Sequence, residues 1–476
     1  MAGFCVQMGV MTVHRPELHF APESGIVEAP AGAILDGNTW HLFFQHRADP
    51  GSPSRWGHTF SEESPFDWLE CDDPLAPQDD ETGLRAGSVT ATEGDVHLYF
   101  TSVKEDSTSI EVARYDLFDD VCEISDDPSA LDTRVTRLGT AVSDQDDVRR
   151  FRSPVVVADW VDPNSRGEGH KGWLMLTVAG DATAPQLMIF RSDDAKQWTL
   201  SGPLEFDGDP GAELQPGRVV VSPRIIRLRD EVDSKIYDVL MVTIEKNGSE
   251  HAGYVVGRLA GTKFKVAQPF QRLDYGHDFT RPRITNYTPG SVDESTLYDE
   301  GILFGLLNGT GRLDDPSQHK SWQEGKWANV ISLPRVVTLQ GGTIFQTPPK
   351  GLPEAINNAT RASSWIGLLE VPEGSTVTLS LNDASGNPAA TIHHRGSSLE
   401  LDRSATFESE TAIAPLAEGD SDSLTVIVDG STVEVFADGG QVAMASRVYF
   451  EGGCSSITAT TDGDAQVLRD WYISHP

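Results

Sequence analysis

The feature that most limits what this chain can become is a succession of short apolar or alternating runs. "TWHLFFQ", "DVHLYFTS", "GWLMLTVAG", "QLMIFRS", "YDVLMVTIE", "GYVVGRL" and "GILFGLL" follow one another, each closed by Gly, Pro, Asp or Asn. That is the pattern of strands joined by turns. Helical periodicity is scarce. So many short strands before residue 348 predict a propeller or a large sandwich rather than an α/β fold. No sharp repeat is visible, so the propeller reading rests on spacing.

The rhythm breaks after "LPRVVTLQGGTIFQTP". Residues 349–364, rich in Pro, Asn and Ala, read as a linker between a first domain, 1–348, and a second, 365–476. The second domain alternates apolar and polar positions in "STVTLSLND", "AATIHHRG" and "SLTVIVDGSTVEVFADGG". Asp429-Gly430 between two such runs predicts a tight hairpin, and the whole reads as a β-sandwich. The chain is therefore expected to be all-β. Its length of 476 residues suits two domains better than one core.

With 37 basic and 72 acidic residues the formal charge is −35. Such a field repels phosphate backbones and anionic headgroups, which excludes nucleic acid and membrane surfaces as partners. No apolar run approaches the ~20 residues of a membrane span. The start lacks a basic region followed by an apolar stretch, so no secretory signal is expected; Met11 is an alternative start, because patterned sequence begins at Arg15. Cys5, Cys71, Cys122 and Cys454 lie far apart without metal-ligand spacing. Free thiols in a reducing cytoplasm are the simplest account. No metal and no cofactor is expected, and oligomeric state stays open.

The stretch "HRPELHFAPESG…AGAILDGNTWHLFFQ" resembles the opening of glycoside hydrolase family 32, the invertases, levanases and sucrose-6-phosphate hydrolases. The likeness continues through "RWGHTFSEESPFDW", "AGSVT", "FRSPVV", "LMIFRSDDAKQWTLSGPLEF", "YGHDFTRP" and "WANVISLPRVVTLQGG", in that family's order. "VIVDGSTVEVFADGG" is similar to the family's sandwich signature. The resemblance implies a five-bladed β-propeller followed by a C-terminal β-sandwich, with a fructosyl-type sugar bound at one end of the propeller axis.

The family's chemistry requires three carboxylic acids. A retaining glycosidase sets a nucleophile and an acid/base roughly 5–5.5 Å apart, and the family adds an Asp that holds fructosyl hydroxyls. Matched to the W-M-N-D-P-N-G motif, this chain places Ala29 at the nucleophile and Glu28 just before it. Strand alternation predicts that Glu28 faces away from the place Ala29 occupies; only a bulge would re-aim it. Matched to R-D-P, "RSP" puts Ser153 at the hydroxyl-holding Asp, beside Arg152. Matched to E-C, Glu213 in "GAELQ" takes the acid/base position. Each carboxylate also has a plainer reading, as a solvated or hydrogen-bonded surface group.

The resemblance further assigns Gln45, Trp56, Ser88 and Asp278 to the sugar pocket, together with Arg152 and Ser153. Trp56 equally suits a blade core. Thr280 and Arg281 stand where the family has Tyr and Ala, and Arg281 points to an anionic ligand. Three readings follow. In the first, the chain recognises a fructosyl sugar and hydrolysis is weak or lost. In the second, Glu28 and Glu213 form a rearranged pair in an active β-fructosidase. In the third, acids are recruited from elsewhere, for example from "DQDD" at 144–147.

Overall fold

The computed structural model describes residues 13–475 apart from 93–94, 117–123, 126, 128, 146–147, 182, 216–217, 247, 310–314, 408–410 and 418–421. Met11, Cys5, Cys122, Asp146 and Asp147 lie outside the described residues. Strands dominate, in antiparallel blades of four strands ordered from the axis outward, to which blade IV adds a short parallel edge strand, Glu205–Asp207. Blade I holds Gly25–Asp36, Thr39–Arg47, Arg55–Glu62 and Leu69–Glu70. Blade II holds Gly83–Ala91, Val96–Val103, Thr108–Tyr115 and Val135–Ser143. Blade III starts with Arg152–Trp160, blade IV with Val219–Arg229 and blade V with Phe279–Tyr287. Each inner strand contacts the next, and that of blade V pairs in parallel with that of blade I, closing the five-bladed ring. Closure leaves no long open edge at the axis.

Every inner strand is interrupted at the same height. In blade III, Ser153-Pro154 together oppose one residue of the neighbouring strand. Ser222-Pro223 and Arg281-Pro282 do the same in blades IV and V. Blade II breaks register between Arg85 and Ser88, and blade I breaks twice, around Glu28 and around Ala31. Proline has no N–H for a ladder, so inside a sheet it belongs at such bulges. Ser153, Ser222 and Arg281 adopt left-handed φ of 56°, 52° and 51°. Gly87 is required by space: a Cβ there would sit 2.0 Å from the Tyr99 carbonyl oxygen.

Two five-stranded antiparallel sheets make the C-terminal sandwich. Trp365, Leu379, Leu381, Val426, Val435 and Met444 fill its core. The first strand, Ala362–Glu370, starts inside the segment read as a linker, which also carries a helix, Leu352–Asn358. Pro353 suits the helix's first turn, and Leu352 and Ile356 bury against Leu18 and Phe66, so the connection is anchored. The hairpin at Asp429 forms as the Asp-Gly signal predicts, with Asp429 opposite Thr432.

Buried charge joins the two domains. Asp429 accepts the backbone N–H groups of Glu17, Leu18 and His19, at 2.8, 2.8 and 2.9 Å. The His19 ring bridges Asp429 and Glu434. Burial alone would lower the His19 pKa, yet hydrogen bonds to the two carboxylates carry it upward. Arg335, fully buried, spans Glu434 and Asp274 at 2.8 Å each. A network that dense and dry makes the sandwich part of the propeller's own folding unit.

Candidate functional site

The interrupted ends of the inner strands surround a cavity of about 630 Å³ at one end of the propeller axis. Glu28, Ala29, Gln45, Arg152 and Ser153 all line it. The alternation argument for Glu28 is overturned here. Val27 pairs with His46 and Ala29 with Gln45, so Glu28 is the extra residue of a bulge. The bulge puts its side chain in the same cavity as Ala29. It also frees two carbonyls, and both are taken: Asn329 Nδ2 donates to the Val27 oxygen at 2.8 Å, and Arg281 Nη1 to that of Glu28 at 2.9 Å.

The Glu28 carboxylate is fully engaged. Arg47 pairs with one oxygen at 2.7 Å. The other accepts from Gln45 Nε2 at 2.7 Å and from the Ser54 hydroxyl. Gln45 is itself fixed, because its carbonyl oxygen accepts the Ala86 N–H at 2.7 Å.

Two further carboxylates line the cavity, and the sequence reading missed both. Glu245 and Glu250 face each other across the outer hairpin end of blade IV. Glu250 accepts from Arg281 Nε and Nη2 at 3.1 Å each and from the Thr280 hydroxyl at 2.7 Å. Burial works against the Arg281 charge, yet the fields of Glu250 first, then Glu28 and Glu245, raise its pKa. One arginine thus sits among three acids. This corrects the reading of Arg281 as an anion receptor: its guanidinium is spent on Glu250 and on the Glu28 backbone.

Other sequence assignments fall elsewhere. Glu213 lies exposed on a one-turn helix, Ala212–Leu214, and does not line the cavity. The innermost strand of blade IV instead presents Val219, Val221 and Ser222 there. Trp56 is fully buried in the core of blades I and II, and its Nε1 donates to the Arg85 carbonyl at 3.2 Å. Ser88 is buried and accepts the Val156 N–H at 3.2 Å, stitching blade II to blade III. Asp278 is gripped by Arg403 of the sandwich and accepts the Arg447 N–H at 2.7 Å, so it bridges domains. Arg152 donates to the Gly180 carbonyl at 2.7 Å. Asp144 holds the Arg150 N–H away from the cavity. Among the described residues no three His, Cys, Asp or Glu side chains converge as metal ligands.

A signal for this floor was present in the sequence: "SP" in "FRSPVV", "SP" in "VVVSPRII" and "RP" in "DFTRPRI" place proline inside runs that otherwise read as strands. Glu245 and Glu250 carried none, since a hairpin with charged ends is ordinary surface by pattern.

Fold and cavity together define the class: a propeller–sandwich protein with a polar, arginine- and glutamate-lined axial pocket, built as glycoside hydrolases are. The glycosyl hydrolases family 32 N-terminal domain matches residues 19–348 and the family's C-terminal domain matches 371–472. The chain belongs to glycoside hydrolase family 32. The sucrose-6-phosphate hydrolase of Bacillus subtilis (strain 168) is 25% identical over 95% of this chain and 93% of its own. A solved sucrose-6-phosphate hydrolase from Lactobacillus gasseri superposes with a TM-score of 0.76 at 19% identity, covering 98% of this chain and 94% of that one. A variant β-fructofuranosidase from Bombyx mori, solved in complex with sucrose, gives 0.74 at 19% identity over 97% and 94%.

Proposed function

We propose that the axial cavity binds a fructosyl-type sugar and that hydrolysis of O-glycosidic bonds is weak or lost. The observation that carries this reading is the composition of the interrupted inner strands at the cavity wall. Ala29 and Ser153 line the cavity where the family's nucleophile and hydroxyl-holding Asp are expected, and the innermost strand of blade IV contributes Val219, Val221 and Ser222, while Glu245 and Glu250 reach it from that blade's next two strands. A methyl cannot form a glycosyl ester, and a neutral hydroxyl stabilises developing charge about half as well as a charged partner. The carboxylate that reaches the cavity from blade I is tied to Arg47, Gln45 and Ser54. The sucrose complex of the silkworm relative supports a small sugar as the ligand class. Cys71 and Cys454 form no disulfide among the described residues, which suits a reducing, cytoplasmic setting.

Calorimetric binding of sucrose, fructose and short fructans, beside a sugar-release assay on sucrose, inulin and levan, tests the proposal. Saturable binding with release near background is expected. Release at the rate of a working invertase defeats it.

The bulge that brings Glu28 inward favours a second reading, an active glycosidase with Glu28 as the reacting carboxylate. Glu213, its partner in the rearranged pair, stands outside the cavity, so an acid/base would have to come from Glu245 or Glu250. Turnover abolished in Glu28→Gln with sugar affinity retained is the result that selects this reading.

A further inference from the structure

The innermost strands of blades IV and V carry the same Pro-Arg step, Pro223-Arg224 and Pro282-Arg283. Both arginines turn into the protein, at 2% and 3% exposure. Neither has a carboxylate within ion-pair distance among the described residues. Arg224 donates only to backbone carbonyls: Ser153 at 3.3 Å, Pro223 at 2.5 Å and Gly87 at 2.6 Å. The hydrogen bonds of Arg283 all leave from Nη1, to the Ser222 hydroxyl at 2.9 Å and the Arg281 and Pro282 carbonyls at 3.1 and 3.0 Å. The Nε atoms of both are buried without a partner.

This arrangement is costly unless something compensates it. Removing an ion from water costs several kcal/mol even after relaxation, and two like charges side by side add repulsion. Burial first, then the neighbouring Arg224 and Arg281, pushes the Arg283 pKa well down, and burial alone brings Arg224 to about 9. Glu250, whose field acts on Arg283, is already held by Arg281 and Thr280. Arg283 nonetheless stands in the wall of the axial cavity, two residues beyond Arg281 on the same strand. A dry, positively charged floor therefore opens into a space that solutes can enter, within a chain that is otherwise strongly acidic.

We propose that Arg283, backed by Arg224, binds one small inorganic anion, chloride or phosphate, at the deep end of the axial cavity. The anion supplies the missing counter-charge through the Nε and Nη2 groups of Arg283, which donate to no acceptor among the described residues. It also completes the floor on which any larger ligand of the cavity rests. The site stands on the two arginines alone and does not depend on which sugar, if any, the cavity takes.

The test uses the full chain exchanged into sodium gluconate, whose anion is too bulky for the site. Chloride or phosphate then replaces gluconate at constant ionic strength, which removes the general screening effect of salt on an acidic protein. The expected result is a saturable, single-site rise in Tm with either anion. In Arg283→Met that rise shifts to concentrations about tenfold higher or more, as loss of a charged hydrogen bond requires. In gluconate alone Arg283→Met is at least as stable as the parent, since it removes an uncompensated charge. An equal rise in both proteins, or no rise with either anion, overturns the proposal. A bromide soak of crystals of the unmodified chain gives an independent reading: an anomalous peak within hydrogen-bond distance of Arg283 supports the site, and an empty floor overturns it.

Discussion

Arg281→Met is the most informative single change in this molecule. It deletes two hydrogen bonds of 3.1 Å to Glu250 and one of 2.9 Å to the Glu28 carbonyl. The Glu250 side chain is only 1% exposed, and Thr280 remains as a neutral donor. Removing one partner of a buried ion pair leaves the other charge dry, which costs about 3–5 kcal/mol. An exposed pair would cost about 0–1 kcal/mol. The assay is urea unfolding at fixed ionic strength, read as a change in midpoint at unchanged slope. Adding Glu250→Gln removes the stranded charge, so the double variant should regain most of the lost stability. It should not regain ligand affinity, because the Glu28 carbonyl still lacks its donor and the bulge is held by Asn329 alone. A single-variant loss below about 1 kcal/mol refutes the view of Arg281 as a buried clamp. A double variant as weak as the single refutes the attribution to Glu250.

Three further outcomes are expected. His41 and His58 touch ring to ring at 3.0 Å in blade I, and burial lowers His41 to about 4 and His58 well below its usual value. The unfolded chain then binds more protons below about pH 6.5, so stability falls as pH drops from there toward 4, by about 3 kcal/mol for His41; unfolding free energies should show a shallower acid limb in His41→Gln, and an unchanged limb contradicts the assignment. Asp278→Asn strands Arg403 in the domain interface and should cost about 3–5 kcal/mol while sugar affinity stays constant; a lost affinity at full stability would return Asp278 to the ligand. At a net charge of −35, raising ionic strength from about 0.01 to 0.15 M with sodium gluconate should raise Tm as the Debye length shrinks from ~30 to ~8 Å, and a flat response argues against self-repulsion as a significant cost.

The sequence by itself determined the architecture. Short runs closed by turn residues permit little besides strands, and residues such as Asp429-Gly430 name their own hairpin because a tight turn is a local event. Ala29 and Ser153 were also legible as cavity residues, since the motifs that place them are local in sequence. Direction and partnership came from long-range contacts. Glu28 enters the cavity because one extra residue breaks strand alternation, and that break is held by Asn329 and Arg281 from distant strands. Asp278 lies outside the axial cavity because Arg403, far along the chain, holds it at the domain interface. Glu245, Glu250 and Arg283 came to line one cavity only through ring closure. Charge identity is local, whereas which charge faces which, and how dry the space between them is, depends on contacts between residues hundreds of positions apart.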